Sequence, residues 1–366
     1  MKDAYIRIGS RYSTAPQYQE QLLDVQISGI ATRKELKALI QKRRIVVATV
    51  SSIAGKPELM QLIHFQRVII DEASQILEPM LVGLLPHFEH FTLIGDHKQL
   101  PAVVTQGEDE SVVRGEKLPN IGLKNLRNSL FERLYKRAIT EGWHWAYDVL
   151  SHQGRMHQDI MDFPSKHFYE EKLRILPEGM NHFQVQNMVF APLILGMQDN
   201  NFEKIIRERR VIFLNTETDK RKKLNKTNEN EAQMIGELVH IFNKIYSENG
   251  EVMHPLSIGV ITPYRAQIAQ IQSVMRGKNI NIDAITIDTV ERYQGGARDI
   301  ILISLCTNDA SQLSSLISLS EEGVDRKLNV ALTRARKHLV VVGNVEILRG
   351  SEIYKWFIDE YFVSII

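Results

Sequence analysis

The chain has 366 residues, of which 43% are hydrophobic and 24% charged, with a formal net charge of +1. This balance excludes disordered, fibrous and disulfide-scaffold classes, and the length predicts two domains, each burying its own interior. Near-neutral charge announces no broad basic surface, although a groove that tracks a nucleic-acid strand can be locally positive on a balanced molecule.

The amino end, Met1-Lys2-Asp3-Ala4-Tyr5, lacks the pattern of an export signal, and no apolar run is long enough to cross a bilayer. The expectation is a cytoplasmic protein with no membrane partner. Apolar runs rich in Val and Ile follow at 45–49, 68–70, 91–94, 211–214, 258–261, 284–287, 300–303 and 339–342. Runs this apolar predict strands buried on both faces, and hence an α/β architecture with parallel sheets covered by helices. A polar stretch at 105–128 with Gly107, Gly115, Pro119 and Gly122 reads as a long loop, and a helix is expected over 129–140. That helix ends near 143–147, which places the domain boundary there and divides the chain into 1–145 and 146–366. The basic run at 220–230 reads as a solvated loop before a patch. Asn228 and Glu231 then form a capping-box-like start, with Ala232, Ile235, Leu238, Val239 and Phe242 at helical spacing. Pro263 opens a further helix over 264–275. The lone Cys306 adjoins the 300–303 run and reads as a reduced core residue.

Two strand ends carry chemistry. The run Arg67-Val-Ile-Ile-Asp71-Glu72-Ala73-Ser74 closes on two carboxylates. At such a position an Asp can hold Mg²⁺ and an adjacent Glu can deprotonate the water that attacks a γ-phosphate, although acids also suit a helix N-terminus. The second end is Phe91-Thr-Leu-Ile-Gly95-Asp96-His97-Lys98-Gln99-Leu100-Pro101. Further along come Gln153-Gly154-Arg155-Met156-His157, Thr262-Pro263-Tyr264-Arg265, Thr289-Val290 with Tyr293-Gln294-Gly295-Gly296 and Asp299, and Asn329-Val-Ala-Leu-Thr333-Arg334-Ala-Arg336.

In this order the segments resemble the superfamily 1 helicases, specifically the branch that includes the nonsense-mediated-decay helicase and the replication helicase-nucleases. The likeness covers nearly the whole chain. It implies two RecA-like P-loop NTPase-type domains with mostly parallel sheets flanked by helices, the first truncated at its N-terminus, with ATP and Mg²⁺ as cofactors. By resemblance Asp71 coordinates Mg²⁺, Glu72 is the general base, and Gln99 senses the γ-phosphate. Arg155 and Arg334 reach the phosphates across the cleft from Asp71, with Arg336 in support, and Gln294 and Gly295 belong to a nucleotide-binding segment. Read alone, Arg334 and Arg336 are equally ordinary surface ion-pair residues. Thr49, Thr262 and Thr289, all on strand-end loops, are candidates for contact with single-stranded or partly duplex DNA or RNA, or else caps and turn residues.

The sequence also departs from the family. No Gly-x-x-x-x-Gly-Lys-Ser/Thr occurs: Gly55-Lys56 is followed by Pro57 and Gly277-Lys278 by Asn279. The expectation is a motor domain entered partway, weak in ATP hydrolysis alone, with exposed apolar surface and the missing N-terminal part of the same protein as partner. A pseudo-helicase that grips nucleic acid or protein without chemistry is the alternative. Gly154 stands where the family often has a stacking tyrosine, Ala297 where it often has a glutamate, and Gln158 where a proline usually follows the histidine.

Overall fold

The computed structural model describes residues 5–62, 64–177, 201–219, 226–248, 253–293 and 295–364. The chain divides into two compact units, one of Met1–His97 with Pro101–Asp148, the other of Lys98–Leu100 with Val149–Ile366. A linear boundary near 145 cannot express the excursion at 98–100. Three residues leave the first unit, pack with the second, and the chain returns.

In the first unit β1 (Tyr5–Ile8) pairs in parallel with β2 (Ile45–Ala48), and β3 (Phe65–Ile70) with β4 (Phe88–Leu93), as two separate two-stranded sheets. Ile6 and Ile8 turn inward onto Leu23, Ile40, Ile53 and Leu59. The expectation of strands buried on both faces fails here. Ile45, Ile69 and Phe91 are 54%, 65% and 48% exposed. The physical reason is incomplete cover: alternate residues of a strand face opposite sides, yet four successive residues of β4, from Glu89 to Thr92, are exposed, so along its middle neither face is closed by the described residues. Exposed apolar surface is therefore present, as the sequence led one to expect.

The stretch 105–128 is not wholly irregular. It contains the short helices Glu108–Ser111 and Lys117–Asn120. It is fastened by Arg133, on the helix Leu130–Thr140 that Ser129 caps, which donates through Nη1 to the carbonyl of Ile121 at 2.7 Å. The same guanidinium grips Glu78 twice, Nε to Oε2 at 2.8 Å and Nη2 to Oε1 at 2.6 Å.

The second unit opens with the short parallel pair β5 (His152–Gln153) and β6 (Arg174–Ile175). Its main sheet comprises β7 (Val211–Asn215), β8 (Ile258–Ile261), β9 (Ile285–Asp288), β10 (Arg298–Ser304), β11 (Ala335–Gly343) and β12 (Phe362–Val363). The spatial order is β12-β7-β11-β10-β8-β9 and every pairing is parallel. Both faces are covered, as the apolar runs predict. Phe213, Ile301, Ile303, Leu339 and Val341 point to one core with Phe163, Leu328 and Phe357. Their alternates Ile212, Leu214, Ile300, Leu302, Val340 and Val342 point to the other, under the helices Glu229–Glu248 and Arg265–Gly277. Cys306 is fully buried, the core position that the sequence implies. No helix among the described residues is long and apolar enough to cross a membrane.

Candidate functional site

The acidic tip of the first unit is built by two parallel strands that end side by side. The amide of Ile94 donates to the carbonyl of Ile70 at 2.8 Å, and that of Ala73 to Ile94 at 2.7 Å. Asp71 and Glu72 stand exposed beyond β3. Asp71 Oδ1 accepts from the Glu72 amide at 3.0 Å, and Glu72 Oε2 accepts from Gln75 Nε2 at 2.6 Å. Glu72 has φ of 52°, the left-handed region, where a side chain of its kind costs about 1–3 kcal/mol. Strain of this sort persists where surrounding structure enforces it, and here it fixes the direction in which the carboxylate projects. Gly95 is required by close approach: a Cβ there would meet the Ser74 amide nitrogen at 2.8 Å. Ser74 Oγ in turn accepts from the Asp96 amide at 3.2 Å.

Among the described residues no three His, Cys, Asp or Glu gather into a metal cage. Mg²⁺ habitually takes one or two carboxylates, completing its shell with water and phosphate oxygens, so the exposed Asp71 carboxylate fits that ion.

The basic cluster belongs to the second unit. Asp325 caps the helix Arg326–Leu332, accepting from the amides of Lys327 and Leu328, and Thr333 and Arg334 follow as the chain turns into β11. Arg334 is only 2% exposed. Its Nε donates to Val330 O at 3.0 Å, and its Nη2 to Thr333 Oγ1 and to Gln99 Oε1, each at 3.2 Å. Arg155 donates from Nη1 to the carbonyl of Thr333 at 3.2 Å. Gln99, Arg155 and Arg334, far apart in sequence, thus meet around one turn. Arg336 differs: its Nη1 lies 3.5 Å from Asp299 Oδ1, beside Lys337 Nζ at 2.8 Å from Oδ2. The ordinary ion-pair reading describes Arg336.

Gln153 organises the Arg155 turn in a way the sequence did not single out. Its Oε1 accepts from the amides of Arg155 and Met156 at 2.9 and 2.8 Å, while its Nε2 donates to Met156 O at 3.0 Å. A Cβ on Gly154 would meet Leu176 Cδ1 at 2.6 Å, so a leucine methyl fills the space beside the residue that replaces the family tyrosine. Asn329 is fully buried and was likewise missed. Its i,i+4 relation to Thr333, whose hydroxyl donates to its carbonyl at 2.8 Å, was the available signal.

The three threonines fall differently. Thr49 is exposed and caps the helix Val50–Ala54, Oγ1 accepting from the Ser52 amide at 3.1 Å. Thr262 and Thr289 follow the adjacent strands β8 and β9, and the Thr262 amide donates to Asp288 O at 3.2 Å. Both stand at the carboxyl ends of parallel strands, the end where α/β sheets bind ligands. Thr262 is fully buried and its hydroxyl has no partner, whereas Thr289 is half-buried. Gly295 has φ of 79° in the turn between Tyr293 and β10, a conformation that favours glycine. Gln294 lies outside the described residues.

Parallel α/β pairing in both units, a carboxylate pair on a strand tip of the first and a buried arginine gathered with a glutamine in the second match the helicase class in residue type and order. A family model described as "AAA domain" matches residues 126–346, and a second of the same description matches residues 10–106. The chain belongs to this family, the AAA-domain helicases of superfamily 1, and its units have the RecA-like helicase fold. It is 29% identical over 270 residues to an ATP-dependent helicase of Methanocaldococcus jannaschii, covering 72% of this chain and 34% of that protein. It is 32% identical over 288 residues to the DNA polymerase alpha-associated DNA helicase A of Saccharomyces cerevisiae, covering 75% of this chain and 37% of that one. With the DNA replication ATP-dependent helicase/nuclease DNA2 of Xenopus laevis it shares 30% over 283 residues, covering 74% and 24%. The chain spans little more than a third of the length of the first two.

Proposed function

We propose that this chain carries the hydrolysis-responsive part of a motor that couples ATP hydrolysis to translocation along, and unwinding of, DNA or RNA in the cytoplasm. The observation that carries the reading is the meeting of Gln99, Arg155 and Arg334 around the Thr333 turn. In this mechanism Glu72 takes the proton of a water attacking the γ-phosphate in line as the bond to the β-phosphate oxygen breaks. Asp71 holds Mg²⁺, which when bound neutralises charge on the phosphate oxygens. Arg155 and Arg334 stabilise the charge that develops on the transferred group, because guanidinium stays protonated and presents a planar fork of donors. Arg336, Gln294 and Gly295 support the nucleotide segment. Thr49 and Thr289 face the nucleic acid from strand ends; Thr262, proposed with them from the sequence, is fully buried with its amide bonded to Asp288 O and serves that surface only by holding the adjacent strand ends together.

The sequence contains no Gly-x-x-x-x-Gly-Lys-Ser/Thr, and a cradle of backbone amides with a lysine is not replaced by two arginines. A phosphate loop from outside these residues is the partner this reading requires, such as an N-terminal part of the same protein. Alone, the chain is expected to show no nucleic-acid-stimulated ATPase above background, in wild type and Glu72→Gln alike. Turnover that Glu72→Gln abolishes would refute that expectation. Binding to a fluorescent single-stranded oligonucleotide, followed by anisotropy, is expected to weaken at least tenfold between about 50 and 200 mM salt. No binding, or binding indifferent to salt, removes the nucleic-acid half of the reading. The missing loop specifically favours a second reading, a binding module without chemistry. It prevails if ATPase stays absent after a phosphate-loop segment is supplied while strand binding persists.

A further inference from the structure

The excursion of Lys98–Leu100 out of the first unit is held by contacts that its own sequence does not announce. Leu100 is buried in a core with Met156 and Ile160. Asn329 Nδ2 donates to the carbonyl of Lys98 at 2.8 Å and to Tyr169 Oη at 2.9 Å. The Lys98 ammonium lies 2.8 Å from Glu170 Oε1 and 5.9 Å from the centre of the Tyr169 ring. Glu170 reaches it from a left-handed backbone, φ of 54°. Lys172 and Lys98, donating to its carboxylate, hold that group down to about 2, so it stays ionised at any working pH. The Asn329 amide is oriented without ambiguity, since flipping it would set oxygen against the Lys98 carbonyl. Its own Oδ1 is buried with no partner. A buried unpaired acceptor is destabilising, so this asparagine is a poor choice for stability alone.

We propose that Asn329, Tyr169 and Glu170 are positioning residues that dock the Lys98–Leu100 tripeptide onto the second unit and thereby set where Gln99 presents its amide to Arg334. Asn329 fixes the backbone, Glu170 and the Tyr169 ring fix the side chain of Lys98, and Leu100 anchors the far end. Gln99, in the middle, is left with one direction in which to point. The inference deepens the motor reading and takes from it the roles of Gln99 and Arg334.

The test reads docking and not turnover, so it stands apart from any failure of the motor reading. In the full chain labelled with ¹⁵N-glutamine, the Gln99 side-chain amide resonance is identified by its loss in Gln99→Glu. Asn329→Ala and Glu170→Gln are each expected to shift that resonance toward a solvent-exposed amide while other glutamine resonances stay in place. Trypsin cleavage after Lys98, followed by mass spectrometry, is expected to accelerate about tenfold or more, as local opening becomes easier. The reversed pair Lys98→Glu with Glu170→Lys is expected to restore the wild-type resonance, a rescue that a generally loosened fold cannot give. Should Asn329→Ala unfold, Glu170→Gln at the surface decides. An unmoved Gln99 resonance with unchanged cleavage in Glu170→Gln overturns the proposal.

Discussion

Replacing Glu231 with alanine is expected to lower the stability of the second unit by about 3–5 kcal/mol, the range for losing a buried hydrogen-bond network. Glu231 is fully buried in the first turn of the helix Glu229–Glu248. Its Oε2 accepts from Ser304 Oγ and the Cys306 amide, both at 2.7 Å, and its Oε1 from the Thr307 amide at 3.0 Å. These bonds fix the turn beyond β10, where Cys306 adopts φ of 53°. Alanine leaves all three donors buried without that acceptor. Burial raises the carboxyl from its usual value near 4.5 to about 7, against the opposing pull of those donors. A carboxyl whose folded value exceeds its unfolded one binds its proton more tightly in the native state. Its contribution is therefore complete below about 4.5 and disappears as pH climbs through about 7. Glutamine, which does not titrate, removes this dependence. The stability advantage of wild type over Glu231→Gln, from urea titrations, is expected to shrink by about 2 kcal/mol between roughly pH 5 and pH 7.5. An advantage constant over that interval would show that Glu231 titrates like an ordinary surface glutamate.

Glu78→Ala is expected to cost the first unit about 3–5 kcal/mol, because it strands the Arg133 guanidinium in a site built for a bidentate carboxylate. Glu78 is 2% exposed, and its partner also fastens the 105–128 stretch through Ile121. Loss of the pair loosens that stretch together with the segment that follows Asp71 and Glu72. Trp143 and Trp145 lie in the first unit and Trp356 in the second. Fluorescence of a Trp356→Phe background thus reports the first unit alone, and its urea midpoint is the measurement. Glu78→Leu with Arg133→Met is expected to recover most of the loss, since apolar isosteres replace buried ion pairs well. A Glu78→Ala midpoint within error of its parent would mean the pair is already loose in solution.

The second unit was the legible one, for a local reason. Its strands are continuous apolar runs that a two-sided core rewards, and Asn228 caps its long helix as the spacing implies, Oδ1 accepting from the Glu231 amide at 3.0 Å. Even there the capping box is half right. The Asn228 amide donates to Gln267 Oε1 at 2.8 Å, which frees Glu231 to turn inward. Nothing near Glu231 in sequence reveals this, because its acceptor role is set by residues more than seventy positions away. Arg334 and Arg336 look alike in sequence and differ because one enters the core turn while the other meets Asp299. In the first unit the same apolar signal misled, since a run of Val and Ile states that a strand prefers cover and not that cover is present. The motif residues were legible by type and order. Their positioning residues, Gln153, Tyr169, Glu170 and Asn329, were not, because each acts through contacts with parts of the chain that no local pattern joins.

The pairing of β7 with β11 on one side and β12 on the other fixes a timetable for biosynthesis. Both neighbours of β7 are made long after it leaves the ribosome, so Val211–Asn215 must wait with both edges open while the intervening helices emerge. Such long-range parallel closure is slow and aggregation-exposed. Chaperone dependence during translation, and sensitivity of the second unit to small truncations after Tyr361, follow from strand order alone.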